Sequence, residues 1–319
     1  MMRAMGAARL IFVTGKGGVG KTTVAAALAQ HAADLGQRAL VIETASDGSL
    51  AQLFGHRKLS TAPQRLRTGQ IGQIGIDAVR VDARQLVEEY FSRMLRFRWL
   101  ADRLLSSNTF NALTAAAPGI TEFLLLEKIL GWVEPGFGSH RRGYDVIIVD
   151  GPATGHAVKL LGTPRRLAAM VPGGPLGKTA RRLLALLGDR DRTQVLLVSL
   201  PEEMSVREAI ETQHALAVDL ALHVTRPIIN RVFPRHFSAA QAERIEHDVQ
   251  LPDGPARAAA RFAIACRREA ERHIALMRRA LGVSPVLLRQ LFIADVHADD
   301  LRPFGRTLGR VVFAETPPA

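Results

Sequence analysis

Residues 15–23 read Gly-Lys-Gly-Gly-Val-Gly-Lys-Thr-Thr, a run in which small residues are followed by a lysine and two hydroxyls. Gly15, Gly20, Lys21 and Thr22 fill the spacing G-x-x-x-x-G-K-[ST], and the chemistry of that spacing is anion capture. Gly15, Gly17, Gly18 and Gly20, with Lys16 and Val19 between them, let successive backbone N–H groups wrap a phosphate that faces the N-terminus of the following helix. Lys21 is then placed to reach the terminal phosphates. Thr22 can set its hydroxyl on Mg2+, and Thr23 can donate to a nearer phosphate. The ligands implied are ATP and Mg2+. A second segment, Tyr144-Asp145-Val146-Ile147-Ile148-Val149-Asp150, is an apolar strand ending in a carboxylate, at the edge where α/β sheets bind ligands. Asp150 fits there as a holder of Mg2+ through a coordinated water.

The elements needed to position these groups are legible around them. Leu10–Thr14 is a short apolar run, Thr22–Leu35 carries alanines and leucines at helical spacing, and Gly36 closes that helix. Residues 38–43 read as a second buried strand, so the chain opens with a βαβ unit. Further strand patterns lie at 74–81, 144–150, 194–200, 226–232 and 290–294, which makes about seven strands interleaved with helices. The implied fold is α/β: a doubly wound, mostly parallel sheet of the P-loop NTPase type. Between Arg84 and Gly131 only helical patterns occur. The expected organisation is a discontinuous core, residues 1–83 and 141–319, with a helical insertion at 84–140 packed against helices from 164–190. A third helical stretch, Pro255–Leu281, is rich in arginine.

Lys16, directly after the first glycine, resembles the extra lysine in the deviant Walker A motif of the family that holds the ParA and MinD partition ATPases, nitrogenase iron protein and ArsA. The resemblance implies a dimer in which Lys16 reaches the partner's phosphates and supplies charge in the transition state. Gly151-Pro152-Ala153-Thr154-Gly155-His156, after Asp150, narrows it. With Asp150 this run resembles the D-T-A-P-T-G-H switch of ArsA and of the eukaryotic tail-anchored-protein targeting ATPase, matching at Asp150, Thr154, Gly155 and His156 and departing at 151–153. In that branch the segment senses the γ-phosphate and moves the helical region. Ser199–Met204 is similar to its T-L-P-E-E segment, and Ala117–Glu122 to its P-G-I-x-E stretch. Ile228-Ile229-Asn230-Arg231 is similar to its V-N-R strand end, which implies that Asn230 recognises adenine. Read locally, an asparagine ending a strand is only a turn former.

The departures matter as well. After its second strand the family carries D-P-A, whose aspartate positions the attacking water; here Ala45-Ser46-Asp47 stands in those positions. Asp47 or Glu43 is left as the substitute carboxylate, displaced by two residues, a distance that can move the group several ångströms. The stretch 43–55 looks like the more divergent member of paired bacterial ArsA-like proteins. Both a homodimer and a heterodimer with a paralogue are thus implied, and slow hydrolysis or ATP binding without turnover stands as the alternative to an active ATPase.

Bulk properties bound the remaining choices. The chain has 319 residues, 47% hydrophobic and 23% charged, as expected for a globular protein with a substantial core. Its formal net charge is +12, yet only six of its 42 basic residues are lysines. Arginine carries the basicity, which admits an acidic partner or none. A ParA-like DNA-binding reading would draw on Arg267, Arg268, Arg278 and Arg279, and the D-x-x-x-T-G-H segment opposes it. Cys266 is the only cysteine, so neither an intrachain disulfide nor a multi-thiolate metalloid or zinc site can form. The apolar run after the basic start is too short for a signal-peptide core, and no run approaches the ~20 residues that span a bilayer. A cytoplasmic chain, with peripheral membrane contact at most, is expected. Phe91, Leu95, Phe97, Trp99, Leu100, Phe110, Phe123 and Leu124 are candidates for an apolar surface that binds a protein client, and the tail 316–319 is expected to fray.

Overall fold

The computed structural model describes residues 9–44, 48–68, 75–94, 119–134, 143–248, 250 and 252–313. Three strands form its centre: β1 (Arg9–Gly15), β2 (Ala39–Glu43) and β5 (Val146–Asp150). They are buried on both faces, and their side chains alternate between two cores, as the two-residue period of a strand requires. Ile11, Val13, Val41 and Ile148 face one core, while Leu10, Phe12, Leu40, Ile42, Ile147 and Val149 face the other.

Among the described residues eight strands lie in the order β3-β4-β2-β5-β1-β6-β7-β8. β4 (Gly75–Arg80), β6 (Thr193–Ser199), β7 (Ile228–Val232) and β8 (Val286–Arg289) continue the parallel sheet. β3 (Gln64–Thr68) alone runs antiparallel, against β4. On the first face lie α1 (Lys21–Asp34), the short α2 (Ser49–Leu53) and, after a 3-10 turn at Ala298–Leu301, α10 (Arg302–Val312). α1 buries alanines at 25–27, 29, 32 and 33, and such small side chains let α10 approach closely. A methyl added at Gly305 of α10 would lie 2.6 Å from the Ala27 carbonyl oxygen.

The second face carries α3 (Ala83–Met94), α4 (Ile120–Val133), α5 (Thr154–Met170) and α6 (Gly174–Gly188). α7 (Glu203–His214), which runs into one π turn at Ala215–Asp219, and the long α9 (Pro255–Leu281) extend it over β6 and β7. The short α8 (Ala239–His247) begins with a capping box between Ser238 and Gln241.

Four features correct the sequence reading. β3 carries no strand pattern in the sequence because Leu66 is its only apolar residue, as suits an edge strand. The last strand was expected at 290–294 and instead ends at Arg289. β7 ends at Val232, paired with Arg289, so the apolar residues beyond have no parallel partner, and Phe292 and Ile293 are exposed. The helix expected from Pro164 starts ten residues earlier, at Thr154, and runs through Pro164 to Met170. Finally, Phe123 and Leu124, put forward for a client surface, are 1% and 2% exposed in the sheet-facing core. The other apolar candidates at 95–110, and the tail 316–319, lie outside the described residues, and nothing of the side chain of Phe91 is described.

Candidate functional site

The glycine-rich loop joins β1 to α1 at the carboxyl edge of the sheet, between β5 and β6. Two of its glycines are there for space. A Cβ on Gly15 would sit 2.1 Å from the Val198 carbonyl oxygen of β6. Gly20, the N-cap of α1, has φ +92° and leaves no room for a Cβ, which would fall 2.4 Å from Asn230 Nδ2. Gly20 has no side chain with which to cap α1. The first N–H groups of α1 therefore face the loop, as anion binding requires.

Lys21 Nζ donates to the Lys16 carbonyl oxygen at 3.3 Å, so the amine lies over the loop. Thr22 Oγ1 donates to Asp150 Oδ2 at 2.6 Å, and Ser49 Oγ donates to Thr22 Oγ1 at 3.3 Å. Asp150 is 3% exposed at the end of β5, in register with Val13 and Glu43. Its own carbonyl oxygen accepts from Thr44 Oγ1 at 2.7 Å and from Thr44 N at 3.3 Å. Hydroxyl and carboxylate oxygens thus converge where α1, β5 and α2 meet. An all-oxygen donor set of this kind suits a hard divalent cation such as Mg2+. Thr44 and Ser49 were not singled out from the sequence. The Thr residue after a strand and the Ser opening a five-residue helix carry no motif signal of their own.

Asn230 is 4% exposed, and its amide already holds backbone. Nδ2 donates to the Val19 carbonyl oxygen at 2.9 Å, and Oδ1 accepts from Arg231 N at 2.9 Å. It is a strut beneath the glycine-rich loop. One amide hydrogen and one lone pair remain for another partner. Of the two substitute carboxylates, Asp47 lies outside the described residues, as do Ala45 and Ser46. Glu43 is 1% exposed, and its Oε1 accepts from Leu50 N at 3.4 Å, which turns it toward α2.

The D-x-x-x-T-G-H segment becomes the loop after β5 and the first turn of α5. Thr14 Oγ1 donates to the Pro152 carbonyl oxygen at 2.9 Å, and Gly151 N to the Val13 carbonyl oxygen at 2.9 Å, which ties the loop to β1. His156 is exposed in the first turn of α5. Thr154 Oγ1 donates to Glu208 Oε1 of α7, and Glu208 Oε2 lies 3.8 Å from Lys16 Nζ. The Ser199–Glu203 segment is pinned by Ser205 Oγ, which accepts from Leu200 N at 3.0 Å, and by His273 of α9, whose Nδ1 is 3.0 Å from the Pro201 carbonyl oxygen.

The matches to known proteins agree with this geometry. Residues 8–172, just over half of the chain, match the family described as anion-transporting ATPase. This chain belongs to that family. It is 31% identical over 228 residues to the protein named ATPase BagA from Mycobacterium tuberculosis, covering 72% of this chain and 66% of the relative. It is 25% identical over 240 residues to an arsenical pump-driving ATPase from Escherichia coli, covering 70% of this chain and 39% of that one. A protein of the same name from Acidiphilium multivorum is 26% identical over 246 residues. The matched region thus spans just under two thirds of the mycobacterial relative and about two fifths of the arsenical pump-driving ATPases.

The arginine-rich helix of this family member is largely engaged within the chain. Arg267 donates to Glu271 and to the Phe233 carbonyl oxygen, and Arg268 donates to Glu246. Hydrogen bonding from Arg235, aided by Arg267, holds the Glu271 carboxyl below its ordinary range. Among the described residues no helix is long and apolar enough to cross a membrane.

Proposed function

We propose that this protein is an ATP-binding and ATP-hydrolysing dimeric switch, in which closure around the nucleotide is coupled to binding of a protein client or regulator. The observation that carries the reading is the convergence of Lys21, Thr22 and Asp150 at the N-terminus of α1. A bound Mg2+ would neutralise charge on the triphosphate oxygens. The chain's own residues do the rest. The loop N–H groups hold phosphate oxygens, Lys21 exchanges the Lys16 carbonyl for a terminal phosphate, and Thr22 and Asp150 offer oxygens on the metal side. Asn230 fixes the loop through Val19 and keeps donor and acceptor capacity for an adenine edge.

Lys16 is the residue proposed to reach the second subunit. Its side chain is 44% exposed, so it is free to change partner at low cost. The second subunit is another copy of this chain or a paralogue, and a client would meet the helices of the second face. The family resemblance of the relatives named ATPase supports hydrolysis. Ala45 favours the second reading, ATP-driven closure with little turnover. Asp47 is then the carboxylate to test first, since Glu43 is turned toward α2.

The test is phosphate release from Mg-ATP by the purified chain beside Lys21→Ala. Turnover lost in the variant, with its melting temperature unchanged in the absence of nucleotide, supports the reading. Equal phosphate release by both proteins would end it. Tight ATP binding by the wild type without release would move the assignment to the regulatory alternative.

A further inference from the structure

Glu208 belongs to no motif, yet its side chain touches both the loop and the head of α5. Its Oε2 is 3.8 Å from Lys16 Nζ, and its Oε1 accepts the hydroxyl hydrogen of Thr154. Thr154 is the first residue of α5, and the N-cap residue Ala153 makes no side-chain cap bond to that helix. The Glu208 carboxylate therefore lies against two sources of positive potential, the lysine ammonium and the N-terminal dipole of a 17-residue helix. It projects from α7, which is anchored to β6 through Ser205. One carboxylate thus links the glycine-rich loop, the segment after the metal-side aspartate and a helix of the core.

We infer that Glu208 is a positioning residue that parks Lys16 within its own subunit until a nucleotide is bound. The inference rests on the dimeric-switch reading above, and it names what restrains that switch. Lys16 cannot stay paired with Glu208 and also reach phosphates held by a second subunit, because an ion pair needs its ammonium within about 4 Å of each partner. Phosphate oxygens in the loop would bring several negative charges to the same ammonium and outcompete a single carboxylate. The pair is suited to being broken. Both side chains are more than one third exposed, at 44% and 35%, so water and salt screen the attraction. When Lys16 leaves, the carboxylate keeps Thr154, and the charge balance at the head of α5 changes. Nucleotide state is thereby passed to the α5–α6 pair on the second face.

Glu208→Gln separates the two contacts, because the amide oxygen still accepts from Thr154 while the charge facing Lys16 is gone. The experiment is mass in solution against Mg-ATP concentration for wild type, Glu208→Gln and Glu208→Asp, with turnover measured at saturating ATP. The expected result is a midpoint for dimer formation about two- to fivefold lower in Glu208→Gln, the range of a partly exposed ion pair. Turnover per dimer stays within about twofold of wild type, and Glu208→Asp, which keeps the charge, stays nearer the wild-type midpoint. An unchanged midpoint in Glu208→Gln overturns the inference alone. Collapse of turnover at saturating ATP also overturns it, by placing Glu208 in the chemistry. A wild type that stays monomeric at saturating ATP is a different result: it ends the homodimer reading and this inference with it. Should Glu208→Gln fold poorly, Glu208→Ala also removes the charge facing Lys16, and Thr154→Ala measured beside it shows how far loss of the hydroxyl contact alone moves the midpoint.

Discussion

Thr22 Oγ1 stands 2.6 Å from Asp150 Oδ2 and joins the first turn of α1 to the end of β5 across 128 residues of sequence. Neither residue is held there by its neighbours in the chain. The pairing of β1 with β5 sets Val13 opposite Asp150, and the loop after β1 then returns Thr22 to the same edge. Sheet register, not local sequence, builds this contact.

Asp150→Asn tests that contact chemically. The asparagine keeps an oxygen for the Thr22 hydroxyl but loses the charge that attracts a divalent cation. Phosphate release should fall roughly 10²-fold or more, in the range seen when one electrostatic contact to a transition state is removed. The melting temperature without nucleotide should stay close to wild type. A large loss of stability with full activity per folded molecule would show a structural role alone.

Gly20→Ala should weaken nucleotide binding about tenfold or more. The left-handed backbone there costs a Cβ-bearing residue ~1–2 kcal/mol, and the new methyl presses on Asn230 Nδ2. Relieving it requires breaking the Asn230–Val19 hydrogen bond that supports the loop. Gly17→Ala is the control for folding, since a Cβ there meets nothing within 4 Å. Calorimetric titration with a non-hydrolysable ATP analogue reads both.

Gly305→Ala should destabilise the fold by about 1–3 kcal/mol, the usual cost of overpacking, without altering the nucleotide site directly. Its methyl would meet the backbone of Ala27, which cannot rotate away, and the Cβ of His31 at 3.1 Å. Denaturant unfolding reads the loss. A variant as stable as wild type would mean that α1 and α10 separate more easily than their packing implies.

Stability should fall as pH drops below about 6.5, the ordinary histidine value. Burial lowers the affinity of His31 for a proton, with Asp34 opposing the shift and Arg306 adding to it. Burial, aided by Arg190, does the same at His223. With folded values depressed, the unfolded chain takes up protons first, so the loss begins near 6.5 and levels off below the folded values. A second loss follows below about 4.5, where Glu271 and Asp299, held ionised by Arg235 and Arg67 respectively, are protonated first in the unfolded chain. Chemical denaturation midpoints across this range should decline toward acid, and a rise from pH 7 to 5 would contradict the histidine account.

The parallel centre of the sheet was legible because β1, β2 and β5 are apolar on both faces, and burial on both faces leaves no other residues to use. The edges were not. β3 has one apolar side chain, and β8 stops where its partner stops, at a point that no residue of its own run marks. At the site, Lys21 and Thr22 stand out in the sequence by their G-x-x-x-x-G-K-[ST] spacing and Asp150 by ending an apolar strand, and the structure sets Thr22 against Asp150. Thr44, Ser49 and Glu208 do not stand out, since each acts through a neighbour brought by the fold. Asn230 was read for a ligand, and its first task in this structure is to hold Val19.

Mass in solution tests most directly whether Lys16 acts between subunits when ATP is bound, as proposed. Light scattering of the wild type and Lys16→Ala in Mg-ATP and in Mg-ADP should show a dimer for the wild type in ATP alone, and a monomer in the other three cases. A Lys16→Ala chain that dimerises in ATP as readily as wild type would contradict the claim.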